Sequence, residues 1–217
     1  MVLTVELTDS KYDIEIGRGV IQHAGQCMDL GRKVLVVTDT GVPKEYSQKI
    51  KDQCREGYIV TLPSGEKTKN LDNVRRLLSF MLSKGFSRKD AVVAVGGGVI
   101  GDLAGFAASV YMRGIDFYNV PTTILSQVDS SIGGKVAVDF EGYKNIVGAF
   151  YQPKAVIVDI DTLDTLPKRQ WANGLVEAVK TGVIGDAELF DIFENRDPYE
   201  NVQEIIVRSL TVKRNVV

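Results

Sequence analysis

Val2 to Leu7 and Tyr12 to Ile16 alternate apolar and polar residues on either side of Thr8-Asp9-Ser10-Lys11, which predicts an antiparallel hairpin. Beyond it, apolar runs near 33–38, 58–62, 91–95, 115–120 and 155–159 alternate with stretches of helical spacing. Helices are expected over Val20–Leu30, after Pro43 through Tyr46, Ile50 and Cys54, and along Leu71, Val74, Leu77, Leu78, Met81 and Leu82, with Asn70 as cap and Gly85 as stop. That alternation is the rhythm of an α/β domain with a mostly parallel sheet, whose ligands gather at the strands' carboxyl ends.

After Asp159 the texture changes. DTLDTLPKRQW holds a turn and Pro167, and only helical segments follow, about 168–183, 187–195 and from 198 onward, the last opened by Asp197 and Pro198. The expected division is an α/β domain over 1–165 and the first helices of an incomplete all-α domain over 166–217. The last stripe, Val202, Ile205, Ile206, Ser209, Leu210 and Val212, runs to Val217 without a stop signal. Three helices alone make a small core, so the chain is expected to end inside its second domain.

Composition narrows the partners. A net charge of −2 lacks the excess of a general nucleic-acid binder, although a local basic cleft for a small phosphorylated substrate remains open. MVLTVELTDS has no basic leader region, and no apolar run approaches the ~20 residues of a membrane span, so a cytoplasmic protein with neither nucleic acid nor membrane as partner is expected. Cys27 and Cys54 are isolated and give no disulfide framework.

The densest chemical signal is AVVAVGGGVIGDLAG, residues 91–105. A fully apolar run suits a strand buried on both faces, and Gly96, Gly98 and Gly101 satisfy G-x-G-x-x-G at the entry to a helix near Val99. Glycines there let a backbone approach a pyrophosphate, and free helix N–H groups attract its charge, although the same spacing also serves tight strand-to-helix packing. A simple lactate-type dehydrogenase reading meets a difficulty. The next strand ends in Pro121-Thr122-Thr123 where a ribose-binding carboxylate belongs, and Asp116 lies at its wrong end. Asp39 and Glu66 are the alternative ribose carboxylates, and on spacing alone each also reads as a cap or solvated loop charge.

Between 113 and 145 stand Arg113, Thr122, Thr123, Asp129, Lys135, Lys144 and Asn145, each individually a common surface or capping residue. Gly133-Gly134-Lys135 departs from a P-loop, with Asp129 at the upstream glycine position and Val136 where Ser or Thr belongs. A glycine-rich loop with lysines and one carboxylate remains, suited to a small phosphorylated, polyhydroxy substrate.

GGGVIGDLAGFAASVYMRG, VPTTILSQVDSSIGGKVAVD, the Lys144-Asn145 pair and GLVEAVKTGVI together resemble the 3-dehydroquinate synthase family, in the same order from about Asp39 to the end. The resemblance implies a homodimeric two-domain enzyme with a Rossmann-like NAD-binding domain and a helical domain carrying most of a zinc or cobalt site. It implies conversion of the sugar acid 3-deoxy-D-arabino-heptulosonate 7-phosphate to 3-dehydroquinate plus phosphate, with NAD reduced and then reoxidised. Carried over by motif, Asp39, Glu66, Lys69, Gly97, Gly98, Asp102, Thr122, Thr123, Lys144, Thr162 and Thr165 would hold NAD. Asp129, Lys135, Asn145 and Lys180 would face the substrate, and Arg113 would reach the phosphate in the neighbouring subunit's site.

Glu177 corresponds to the family's carboxylate metal ligand. On a helical wheel it falls with Gly174 and Thr181, away from Trp171, Leu175, Ala178 and Val179, and without the resemblance it reads as a solvated glutamate near Lys180. The family adds two histidines to the metal, whereas this chain has only His23. His23 and Cys27 stand four apart, but Ala24, Cys27 and Met28 read as one packed face. The chain therefore reads as an amino-terminal piece expected to be inactive alone. Two alternatives stay open: a related sugar-phosphate cyclase making 2-deoxy-scyllo-inosose or a valiolone, against which Lys135 and Lys144-Asn145 count, and a non-catalytic NAD-binding module.

Overall fold

A computed structural model describes residues 1–8 and 10–216, so the expected turn residue Asp9 and the terminal Val217 lie outside the described residues. Strand β1 (Val2–Glu6) pairs antiparallel with β2 (Lys11–Gly17), as the alternation requires. Strands β3 (Lys33–Asp39), β4 (Glu56–Leu62), β5 (Ala91–Gly96), β6 (Asp116–Pro121) and β9 (Ala155–Asp159) complete a seven-stranded sheet, in the order β1-β2-β9-β6-β5-β3-β4. All its pairings except β1 with β2 are parallel.

Helix α1 (Lys44–Lys51) joins β3 to the edge strand β4, and α2 (Leu71–Ser83) carries the chain back past β3 to β5. The strand order therefore reverses between β3 and β5, opening a crevice at their carboxyl ends. Helix α3 (Gly98–Val110) leaves β5 at that crevice and is buried along most of its length. Asn70 caps α2 by accepting the N–H of Asn73 at 2.9 Å, and Gly85 follows the helix at φ 62. Only Val74, Leu77 and Met81 of the α2 stripe are fully buried; Leu71 and Leu82, at its margins, face outward.

Several expected elements are corrected. Val20–Gln26 forms short 3₁₀ turns broken at His23 (φ −122, ψ 23) in place of a helix to Leu30. The carboxylate of buried Asp159 takes the N–H groups of Gly19 and Ile21 at 3.0 Å each, tying the first turn to β9. Residues expected as a loop after 133 form a separate hairpin, β7 (Lys135–Phe140) with β8 (Tyr143–Phe150). Its tight turn has Glu141 at φ 48 and Gly142 at φ 84, the two positive values of a two-residue hairpin loop.

Helices α4 (Lys168–Gly185), α5 (Ala187–Asn195) and α6 (Val202–Arg214) follow. Asp197-Pro198 makes a turn before α6 instead of opening it, since Asp197 Oδ1 accepts the N–H of Tyr199 at 2.8 Å. α6 stops at Arg214, with Asn215 at its cap. The three helices do not bury a core by themselves: Ala178, Leu189, Ile192, Ile205, Ile206 and Leu210 share one cluster with Tyr12, Ile14, Ile16, Val156 and Val158 of the sheet. Trp171, Leu175 and Ala178 pack on this cluster, and Gly174, buried against Ile124 and the backbone of Leu125, extends the buried line of α4 so that Glu177 lies half-buried at its margin. No helix among the described residues is long and apolar enough to cross a membrane.

Candidate functional site

The glycines after β5 divide their work. A Cβ on Gly96 would lie 2.8 Å from Ile100 Cβ and one on Gly101 3.4 Å from Asn119 Nδ2, so both serve packing. Gly97 and Gly98 face the crevice, where added Cβ atoms would lie 3.1 Å from Thr123 Cγ2 and 3.1 Å from Ser130 Oγ. Gly97 occupies the N-cap of α3 and offers no side-chain cap, which leaves first-turn N–H groups directed at the crevice.

Other expected cofactor residues ring the same strand ends. Asp39 ends β3 and accepts the N–H of Gly41 at 2.7 Å; burial lifts its carboxyl above the usual range, partly offset by the N–H groups of Gly41 and Val42. Beside it Thr38 Oγ1 is buried without a hydrogen-bond partner. Thr122 donates its N–H to Gly96 O at 2.9 Å, and Thr123 Oγ1 lies 2.8 Å from Ser126 Oγ. The proton of the Thr162 hydroxyl is committed to Asp159 O at 2.7 Å, and its oxygen accepts from Gln127 Nε2 at 3.0 Å. Thr165 Oγ1 lies 3.1 Å from the hydroxyl of Tyr46 on α1.

Lys69 joins this group to the hairpin. Its ammonium lies 2.5 Å from Asp102 Oδ2 and also donates to Asn145 Oδ1. Lys144 Nζ lies 3.4 Å from Glu66 Oε1 in the turn before Lys69. Burial raises the Asp102 carboxyl above its usual range, and Lys69 pulls it back.

Asp102 and Asn145 line a cavity of about 490 Å³ with Asp129, Lys135, Ile146 and Lys213. Asp129 lies on a single π-type turn, Ser126–Ser130, and accepts a hydrogen bond from Lys213 of α6. Lys213 escaped the sequence reading because the local pattern shows only a basic residue near a helix end; the packing of α6 on the 126–130 turn carries it to Asp129. The cavity therefore combines two carboxylates, two ammonium groups and an amide, a charge pattern fitted to a small anionic polyol.

Three expected residues stand apart. Lys180 pairs with Glu177 at 2.9 Å on α4, and neither lines the cavity. That hydrogen bond raises the Lys180 pKa, and the charge of Asp129 adds to the effect. Arg113 is exposed at the opposite end of α3 from Gly98, in a turn where Met112, Arg113 and Gly114 all have positive φ.

No group of three or more His, Cys, Asp or Glu side chains suited to a metal comes together among the described residues. A catalytic metal commonly takes three protein ligands, which Glu177 alone does not provide. Cys27 donates to Glu15 Oε2 at 3.0 Å, and the break at His23 removes the helical face on which a shared metal would depend.

The family model described as 3-dehydroquinate synthase N-terminal matches residues 59–173. The 3-dehydroquinate synthase of Alkaliphilus metalliredigens is 48% identical over 99% of this chain, which spans 60% of that relative's length. A 2-deoxy-scyllo-inosose synthase solved with carbaglucose-6-phosphate, NAD+ and Co2+ superposes with a TM-score of 0.90 at 29% identity, covering 100% of this chain and 63% of its own. The 2-epi-5-epi-valiolone synthase of Streptomyces hygroscopicus subsp. jinggangensis, with NAD+ and Zn2+ bound, gives a TM-score of 0.81 at 29% identity over 98% of this chain and 61% of its own.

Proposed function

We propose, from the premise that this chain belongs to the 3-dehydroquinate synthase family, that it forms the NAD-binding and much of the substrate-binding part of a 3-dehydroquinate synthase. The observation that carries this reading is the juncture at Lys69, where the glycine-rich crevice and the charged cavity meet through one ammonium group. Gly97, Gly98, Asp39 and the partnerless Thr38 hydroxyl fit a dinucleotide: a backbone cradle that a Cβ would fill, and a carboxylate at the strand end for a ribose. Glu66, Lys69, Asp102, Thr122, Thr123, Lys144, Thr162 and Thr165 complete its surroundings, Thr162 chiefly by shaping the wall, since its hydroxyl proton is already used.

When bound, NAD supplies a reversible hydride acceptor next to the substrate cavity. Lys135 and Lys213 offer ammonium groups to the phosphate and carboxylate of 3-deoxy-D-arabino-heptulosonate 7-phosphate, and Asp129 orients Lys213. Asn145 offers an amide to a hydroxyl or carbonyl oxygen. Lys180, and Arg113 from a second subunit of a homodimer, complete the anion contacts in this reading. A zinc or cobalt ion belongs to the same proposal with Glu177 as one ligand; the described residues do not complete its coordination. The division into 1–165 and 166–217, the cytoplasmic location and the absence of nucleic-acid or membrane partners are parts of the same reading.

Greater identity to a dehydroquinate synthase, 48% against 29% for the two cyclases, favours this substrate over theirs. Calorimetric titration with NAD and a separate assay of phosphate release with added zinc or cobalt test the two halves of the proposal. Binding of NAD is the expected result for this chain. Failure of a folded chain to bind NAD overturns the cofactor assignment, and phosphate release from a related cyclase's substrate in preference to the heptulosonate overturns the substrate assignment.

A further inference from the structure

Hairpin β7–β8 is in register from Lys135 opposite Phe150 to Val138 opposite Val147, and resumes with Phe140 opposite Tyr143. Lys144, Asn145 and Ile146 therefore face the single residue Asp139 across the ladder. A bulge of this kind deprives backbone groups of ladder partners and re-aims side chains. Asn145 adopts φ 55, a left-handed conformation that Asn tolerates better than most residues.

Asp139 takes the place of the missing ladder partner. Its Oδ1 accepts the N–H of Asn145 at 2.9 Å, and its own N–H donates to Lys69 O at 2.9 Å. A parallel bridge between Asn70 and Asp139 extends the same attachment. Lys69, held to the hairpin by its carbonyl, then reaches Asn145 Oδ1 and Asp102 with its ammonium. Backbone and side-chain bonds thus close one circuit through Lys69, Asp139 and Asn145.

We infer that Asp139 is a positioning residue: its carboxylate oxygen holds the β8 bulge in the shape that turns Asn145 to Lys69 and Lys144 to Glu66, joining the cofactor side of the site to the cavity. What the bulge serves rests on the function proposed above, whereas the hydrogen-bonded circuit does not. The geometry needs an acceptor oxygen at this position more than a charge. An asparagine in place of Asp139 keeps that oxygen, and an alanine removes it.

The test compares the 217-residue chain with Asp139→Ala and Asp139→Asn by amide hydrogen exchange and by the HN–Hα coupling of residue 145, using amides of β5 and β9 as the folding reference. Asp139→Ala should lose protection at Asn145 by about tenfold, the scale of one charge-assisted hydrogen bond, and shift the coupling away from its positive-φ value. Asp139→Asn should retain most of both. NAD affinity, read by calorimetry, should fall several-fold in Asp139→Ala and recover in Asp139→Asn. Unchanged protection and coupling in Asp139→Ala overturn the proposal, as does equal loss in both variants. Release of Asn145 with no change in NAD affinity overturns the link to the cofactor. If the unmodified chain binds no NAD, the proposed function fails and the exchange and coupling data alone decide the role of Asp139.

Discussion

Lys69, on the turn after β4, and Asp102, near the start of α3, form a 2.5 Å ion pair in which the lysine side chain is only 6% exposed and the aspartate 20%. Placing an ammonium beside a desolvated carboxylate offsets the cost of burying it, and removing the ammonium leaves that cost uncompensated.

Replacing Lys69 with Met should therefore lower stability near neutral pH by about 3 kcal/mol, the lower end for a broken buried pair. The sign with pH follows from Asp102, whose carboxyl burial already raises. A carboxyl with a folded value above its unfolded value loses stability as pH rises from the unfolded value through the folded one. Loss of Lys69 raises the folded value further, so the deficit of Lys69→Met should be small near pH 4 and grow toward pH 7. Urea unfolding at the two pH values measures it, and a deficit that shrinks as pH rises contradicts the burial argument.

Gly98→Val should weaken NAD binding by more than about tenfold, because side-chain atoms then occupy the approach to the first turn of α3. The stability cost should be smaller than for Gly96→Val, whose Cβ meets Ile100 at 2.8 Å while that of Gly98 meets Ser130 Oγ at 3.1 Å. Calorimetry with NAD and thermal unfolding separate the two effects. Equal NAD affinity for Gly98→Val and the unmodified chain removes this turn from the cofactor site.

The pair of Lys213 with Asp129 is part exposed on both sides, so Lys213→Ala should cost no more than about 1 kcal/mol of stability. Binding of a phosphorylated substrate should suffer more, since two ammonium groups serve the cavity and one is lost. Chemical-shift titration with the heptulosonate phosphate reads this as an affinity reduced by about tenfold or more, with Lys135→Ala behaving alike. Unaltered affinity in both variants would place the anion elsewhere.

Burial, followed by the hydrogen bond and charge of Glu15, pushes the Cys27 thiol up to about 12, and burial pushes Cys54 to about 11. Both should be slow to alkylate at pH 8, because the thiolate is the reactive form. Glu15→Gln removes an acidic neighbour that disfavours the thiolate, so Cys27 should alkylate several-fold faster while Cys54 stays unchanged. Iodoacetamide labelling followed by mass spectrometry reads both sites in one sample. Equal rates for Cys27 in both proteins would show that access alone controls it.

Features that depend on neighbours along the chain were legible in the order of the amino acids. The all-apolar run Ala91 to Val95 required a strand buried on both faces, Asn70 and Gly85 bracketed α2, and successive glycines after a strand marked the entry to α3. The family resemblance named Lys69, Asp102, Lys144 and Asn145 together, and the fold brings them together through the contacts Lys69–Asp102, Lys69–Asn145 and Lys144–Glu66. Local pattern failed where distant groups compete for the backbone. Asp159, opposite Gly17 on the neighbouring strand, draws in the N–H groups of Gly19 and Ile21, and the helix expected after Val20 becomes broken 3₁₀ turns.

The pairings among these residues came from packing between elements far apart along the chain. A helical wheel sets the angle of Glu177 around α4 but does not identify the neighbour on each side; Gly174 admits Ile124 and Leu125, which leaves Glu177 half-buried at the margin of that contact. Lys213 reaches Asp129 only because α6 packs on the 126–130 turn, a relation between residues 84 positions apart. The hairpin β7–β8 was open to reading from its alternation and its Glu141-Gly142 turn, but the bulge opposite Asp139 was not. Its shape depends on Lys69, which lies outside the hairpin, accepts the N–H of Asp139 and donates to Asn145 from a separate loop.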